Sequence, residues 1–192
     1  DPVPPGSFTV GLAAEAAAQA HALEKAKWRV EKRLFKGEEK VTQIGRYQVT
    51  GPAIGSGGMG KIYPGFDPLL KRPVAIKTLH APGRGHDALR EAQSLAQLKH
   101  VNVVPIYDTG SEEGNEENDV FIVMEYVDGK TLREWTKVAP RTIEEIVAAY
   151  QQAGKGLAAA HAQNMVHRDF KPDNAIMGTD GELRVVDFGL AC

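Results

Sequence analysis

The chain has 192 residues, enough for one domain of ordinary size or one and a half small ones. Charged residues make up 25% and AVILMFWYC residues 42%, which excludes a wholly disordered chain. With 23 Lys+Arg against 25 Asp+Glu the formal net charge is −2, so no global field draws nucleic acid or an anionic membrane, which leaves room for a local basic patch only, and no nucleic-acid partner is expected.

A single cysteine, Cys192, excludes an internal disulfide and a Cys-rich zinc site. It suits a reducing compartment, so a cytoplasmic location is expected for the domain, with membrane anchoring of a longer parent protein left open. No apolar stretch approaches the ~20 residues of a membrane helix. The opening Asp1-Pro2-Val3-Pro4-Pro5 lacks an initiator Met and the order of a signal peptide, so the chain is expected to be cut at its start.

Residues 1–9, with three prolines and a glycine, read as a disordered lead-in. Residues 12–34 are rich in Ala, Glu and Lys. Ala16, Ala20, Leu23, Val30 and Leu34 mark a weakly amphipathic helix, read as a solvated pre-domain helix rather than a partner-binding coiled coil. Residues 1–42 are therefore set apart from a folded domain over 43–192. Strand patterns follow at 47–49, 61–63 and 74–79, broken by Gly/Pro turns. Pro64, which has no donor, is expected to limit how far the second of these strands pairs. Residues 87–98 read as a helix, and 101–107 and 120–127 as strands. Between those two, residues 112–119 carry five carboxylates and read as a solvated hairpin loop rather than a metal site. Thr142 and Glu145 form a capping box that opens a long helix. Ile143, Ile146, Val147, Tyr150, Leu157, Ala158 and His161 follow one of its faces, with His161 expected in the core. From Met165 onward short strands alternate with polar turns.

Three constellations carry chemistry. Gly55-Ser56-Gly57-Gly58-Met59-Gly60 is a G-x-G-x-x-G run. A dinucleotide site needs such glycines to open a helix, whereas here Lys61-Ile62-Tyr63 resumes a strand. A strand–glycine loop–strand hairpin lets backbone N–H groups approach phosphate oxygens. Next, Val74-Ala75-Ile76-Lys77 ends an apolar strand on a lysine. Glu91 falls on the apolar face of the following helix, with Ala88, Leu95 and Leu98. An inward carboxylate is costly unless paired, and Lys77 is its expected partner. Last, His167-Arg168-Asp169-Phe170-Lys171-Pro172-Asp173-Asn174 is followed by Asp187-Phe188-Gly189. Asp169 suits acceptance of a hydroxyl proton and Lys171 neutralisation of phosphate charge. Asn174 and Asp187 offer the oxygen ligands that Mg²⁺ prefers.

Together these residues resemble the signature set of protein kinases, and GSGGMG with Lys171-Pro172 is most similar to bacterial Ser/Thr protein kinases. The resemblance runs from about Arg46 to the last residue. It implies an α+β, bilobal protein-kinase-like fold. The N-lobe, an antiparallel sheet plus one helix, would be complete over about 43–127, and a truncated helical C-lobe would begin at 128–192. It implies ATP and Mg²⁺ as cofactors and a protein substrate bearing Ser or Thr. By the same resemblance, residues 55–60 cover the phosphates and Ile54, Ile62 and Ala75 wall the adenine. Lys77 holds phosphates and pairs with Glu91, and Met124 gates a back pocket. Glu125 and Val127 would bond adenine through backbone C=O and N–H. Leu95, Ile106, His167 and Phe188 resemble a packed column that aligns the lobes, and Arg168 would pair with a phosphorylated activation loop. The chain departs from the family pattern at Pro64, at Val101 and at Cys192.

The expected reaction is phosphoryl transfer from Mg-ATP to a Ser or Thr hydroxyl, with Asp169, Lys171, Lys77 and Glu91 as catalytic residues and Asn174 and Asp187 holding metal. Two rival functions share parts of this pattern. A nucleotide-binding pseudokinase-like module would need damage at Lys77, Asp169, Asn174 or Asp187, and all four are intact. A small-molecule phosphotransferase of the same fold would not be expected to carry Lys171 in this register. Because no A-P-E segment follows Asp187-Phe188-Gly189, the chain is expected to be a fragment, and by itself a poor kinase.

Overall fold

The computed structural model describes residues 42–57, 60–79, 85–111 and 120–188, apart from the side chains of 57, 85–88 and 91. The pre-domain helix, the acidic run at 112–119, Gly58, Met59 and Cys192 lie outside the described residues.

Seven strands form one antiparallel sheet: β1 (Gln43–Ile44), β2 (Tyr47–Val49), β3 (Gly55–Gly57), β4 (Gly60–Asp67), β5 (Arg72–Leu79), β6 (Ile106–Ser111) and β7 (Val120–Glu125). Their order is β1-β2-β4-β5-β7-β6, with β3 also paired to β4. The inner strands β5 and β7 are near-continuous apolar runs because both of their faces are covered. On one face Val74, Ile76, Phe121 and Val123 close over Tyr47 and Ile44. On the other, Ala75, Leu79, Ile122 and Met124 meet Val104 and Ala92. Ala92 belongs to α1 (Gly85–Ala96), the one helix that packs on this sheet among the described residues.

Pro64 does not shorten its strand: β4 pairs with β5 from Lys61↔Thr78 to Asp67↔Arg72, through Pro64↔Ala75. In an antiparallel strand a residue's N–H and C=O point to the same side. The Pro64 carbonyl accepts from Thr50 N–H at 2.9 Å, so its missing donor faces β2 and not β5. The expected strand at 101–107 is also displaced. β6 runs Ile106–Ser111, while residues 101–105 form a turn whose Val103 bridges in parallel to Val185.

A smaller antiparallel sheet, ordered β10-β9-β8, comprises β8 (Gly129–Thr131), β9 (Ala175–Gly178) and β10 (Leu183–Val185). Helices α2 (Leu132–Val138) and α3 (Ile143–His161) accompany it. The Thr142–Glu145 capping box is present, and Thr131 with Glu134 makes a second one at the start of α2. The buried face of α3 is Ala149, Ala153, Gly156 and Ala160. Ile143 at 76% exposure, Val147 and Tyr150 point away, whereas Ile146 is half-buried and Leu157 packs against the core as expected. His161 is exposed too, not a core histidine.

Small residues let α3 approach the turn at 101–105 closely. A Cβ on Gly156 would stand 2.4 Å from the Asn102 carbonyl oxygen, which is backbone and cannot swing aside. Gly156→Val should therefore cost about 1–3 kcal/mol, the usual range for overpacking. Urea unfolding of the variant against the parent checks this, and an unchanged midpoint would contradict the close approach.

Candidate functional site

The glycine run forms the strand–loop–strand hairpin expected of it. β3 pairs with β4 in the register Gly55↔Ile62, Ser56↔Lys61 and Gly57↔Gly60. Gly60 has φ +134, and a Cβ there would fall 1.7 Å from the Thr78 carbonyl oxygen, so only glycine fits. Ile54, 59% exposed, donates its N–H to Ile62 O at 2.8 Å at the base of the hairpin. Ile62 is half-buried and Ala75 buried. Met124, buried, lines a cavity of about 20 Å³ with Leu95, Ile106, Asp187 and Phe188, room for about one water. Glu125 and the half-buried Val127 follow, and the Glu125 N–H is already committed to Pro105 O at 3.1 Å.

β5 delivers Lys77 to the same face as Ala75, because side chains alternate along a strand. Lys77 is buried, 5% exposed, and its ammonium lies 2.9 Å from Asp187 Oδ1. Glu91 sits on α1 as expected, but its carboxylate lies outside the described side chains, so the described partner of Lys77 is Asp187. Asp187 itself has φ +58, in the left-handed region. A non-glycine residue there costs on the order of 1–3 kcal/mol and persists only when its surroundings hold it. Beside it Phe188 is buried, with its ring centroid 4.7 Å from that of His167. His167 is buried as well and donates Nε2–H to Val186 O at 2.9 Å. Leu95 and Phe188 belong to one buried cluster, and Ile106 packs against it.

The second group gathers on the loop before β9. Lys171 Nζ lies 2.7 Å from Asp169 Oδ2, and Asn174 Nδ2 donates to the Asp169 carbonyl at 2.8 Å and to its carboxylate at 3.2 Å. The Lys171 hydrogen bond is the main influence holding the Asp169 carboxyl below the usual carboxylate range. The two groups meet through backbone, since Val186 N–H donates to Asn174 O at 3.0 Å. The donor set suits a hard cation: with its amide nitrogen engaged by Asp169, Asn174 keeps its carbonyl oxygen as the remaining polar end. Asp187 likewise has one oxygen beyond the Lys77 contact.

Three contacts were not anticipated. Arg133 on α2 grips Asp173 with Nε 2.8 Å and 2.9 Å from the two carboxylate oxygens, bracing the 3₁₀ turn Pro172–Asn174. Asn102, buried in the turn at 101–105, donates to Leu183 O at 2.8 Å and to Gln152 Oε1 at 3.1 Å. Arg184 lies 3.5 Å from Glu125 Oε2. None carries a local signal, because each pair is remote in sequence.

The sheet, the glycine hairpin and these two polar groups are the layout of one enzyme class, and comparison with known proteins agrees. The protein kinase domain family is matched over residues 48–192, and the chain belongs to that family. It is 42% identical over 157 residues to a probable serine/threonine-protein kinase of Streptomyces coelicolor, covering 77% of this chain and 23% of that protein. Identity to the serine/threonine-protein kinase PrkC of Bacillus subtilis is 42% over 154 residues, again 77% and 23%. To PknL of Mycobacterium tuberculosis it is 37% over 143 residues, 71% of this chain and 35% of that protein. The chain thus spans well under half the length of each of these relatives. Among the described residues no helix is long and apolar enough to cross a membrane.

The depressed Asp169 carboxyl has a consequence for pH. A carboxyl whose pKa is lowered stays ionised through neutrality and gains its proton only as pH falls below the ordinary range. Lys171→Met removes the first cause, so the Asp169 titration should move upward toward the ordinary value. Carbon-13 NMR of the carboxyl measures this, and an unmoved titration would detach Asp169 from Lys171.

Proposed function

We propose that the protein transfers the γ-phosphoryl group of Mg-ATP to a Ser or Thr hydroxyl of a protein, with residues 43–192 supplying the catalytic machinery: the N-lobe over about 43–127 and the start of the C-lobe over 128–192. The observation that carries this reading is the convergence of two polar groups, Lys77 with Asp187 at 2.9 Å and Asp169 with Lys171 at 2.7 Å and Asn174. The glycine hairpin β3–β4 lies on the same sheet as Lys77.

Asp169 accepts the hydroxyl proton as the acceptor oxygen bonds to the γ-phosphorus. The bond from that phosphorus to the bridging oxygen breaks, and ADP leaves with the electron pair. Lys171, hydrogen-bonded to the proton acceptor, neutralises charge on the moving group. Lys77 holds the phosphates, with Glu91 assigned to orient it. Residues 55–60 bring backbone N–H groups over the phosphates. Ile54, Ile62 and Ala75 flank the base, Met124 closes the pocket behind it, and the backbone of Glu125 and Val127 bonds its edge. Asn174 and Asp187 would hold Mg²⁺, which supplies charge neutralisation at the phosphates when bound. Since the transition state is loose, positioning and electrostatics are nearly the whole task of the protein.

The test offers labelled ATP and Mg²⁺ to the longest protein that carries this chain, with Ser/Thr protein and aminoglycoside acceptors side by side. Label should appear on the protein acceptors alone. Asp169→Asn should lower the rate by at least about 100-fold, the lower end for a lost general base, and Lys77→Met should act similarly. Transfer to the aminoglycoside alone, or wild-type rates in either variant, would overturn the assignment.

A further inference from the structure

Behind the base-binding strand four side chains from four strands converge. Arg72 on β5 lays its guanidinium carbon 3.4 Å from the Tyr107 ring centroid, and Tyr107 stands at the irregular step of β6 between Ile106 and Asp108. Burial raises the Tyr107 hydroxyl first, and the Glu125 carboxylate raises it further, whereas Arg72 and Arg184 oppose both. Glu125 closes β7, and its carboxylate meets Arg184 of β10 at 3.5 Å, the two side chains being 28% and 15% exposed. Arg184 is fixed from its other side. Asp180 receives it at 2.8 Å and 3.2 Å, and Glu182 O at 3.3 Å. An ion pair this sheltered is screened less than a surface pair, and its guanidinium is already oriented before Glu125 arrives.

The location gives the pair its consequence. Glu125 is the first residue after Met124, at the end of the large sheet. Arg184 stands three residues before Asp187, on the strand that leads directly to it. We propose that Arg184 is a positioning residue that clasps the end of β7 to β10, and so fixes the base-binding backbone at Glu125 relative to Asp187. The inference rests on the nucleotide site proposed above. Arg184 touches neither nucleotide nor acceptor, and it acts through Glu125.

The test is a double-mutant cycle in Mg-ATP affinity by calorimetry, on the full chain. Glu125→Gln and Arg184→Met should each weaken binding about fivefold, and the double variant no further, within the coupling that contacting groups show. Arg184→Lys should return the affinity to within about twofold of the parent, and Asp180→Asn, which keeps both charges of the pair but loosens the second anchor of Arg184, should weaken binding by less than Arg184→Met. Additive losses, tighter binding in either single variant, or a loss in Asp180→Asn as large as in Arg184→Met would overturn the clasp. Amide hydrogen exchange supplies a readout without nucleotide. Exchange at Glu125 and Val186, bonded to Pro105 O and Asn174 O, should quicken about tenfold in either single variant and no further in the double. Unchanged exchange would also overturn the clasp. A parent chain that binds no Mg-ATP at all would sink the nucleotide site instead, while the exchange experiment still decides the clasp.

Discussion

Val104 donates its N–H to Val185 O at 3.0 Å, Val185 donates to Asn102 O at 2.9 Å, and the Asn102 side chain holds Leu183 O at 2.8 Å. These bonds join the turn after α1 to β10, and β10 leads straight to Asp187 and Phe188. Loosening them would free the strand that leads to Asp187. The Asn102 amide is buried, so its bonds replace water that cannot reach it, and an unmade bond there would cost about 1–3 kcal/mol. Gly156 belongs to the same constraint, because α3 must come close enough to lend Gln152 to Asn102 and to the Leu183 N–H at 2.8 Å.

With β10 so fixed, the Lys77–Asp187 pair becomes possible. A buried ammonium is costly unless its partner is held in place. Here one partner is fixed by a central strand of the large sheet and the other by β10, so neither side chain must be recruited. The left-handed backbone at Asp187 is tolerable on the same ground, since Val186 N–H and Val186 O are both bonded, to Asn174 and to His167. The chemistry and the fold therefore share these contacts. Of the candidate-site groups, the Lys77–Asp187 pair is the one that ties the large sheet to the segment after β10.

The site was legible where its chemistry is written locally. Gly55 to Gly60, Lys77, Asp169, Lys171, Asn174 and Asp187 lie in short runs whose residue types are rare in combination, and the hairpin and the loop cluster form as those runs suggest. Partnerships across the chain were not legible, such as Arg184 with Glu125 or Asn102 with Leu183, because no local pattern encodes them. The α3 face was misread for a different reason. Apolar periodicity ranks Ile143, Val147 and Tyr150 as core, but close helix approach favours Ala149, Ala153, Gly156 and Ala160, whose small side chains give a weak signal. The turn at 101–105 looked like a strand because it is rich in valine, yet Val101 is exposed, and Val103 and Val104 are buried around a single bridge to Val185 rather than in a ladder. The capping box at Thr131 and Glu134 was written in the sequence as plainly as the one at Thr142.

Pro64 divides the edge of the large sheet. β2 pairs with β4 at Gly65 and Phe66, β3 pairs with it at Gly60 to Ile62, and the missing donor falls between them. The strand beyond β4 is therefore in two pieces, bridged by residues 50–54 and tied at the break by the Thr50 and Ile54 N–H bonds. Mechanically the two pieces are separate: β3 can fray from β4 while β2 stays zipped, because β4 keeps its own ladder to β5 from Lys61 to Asp67.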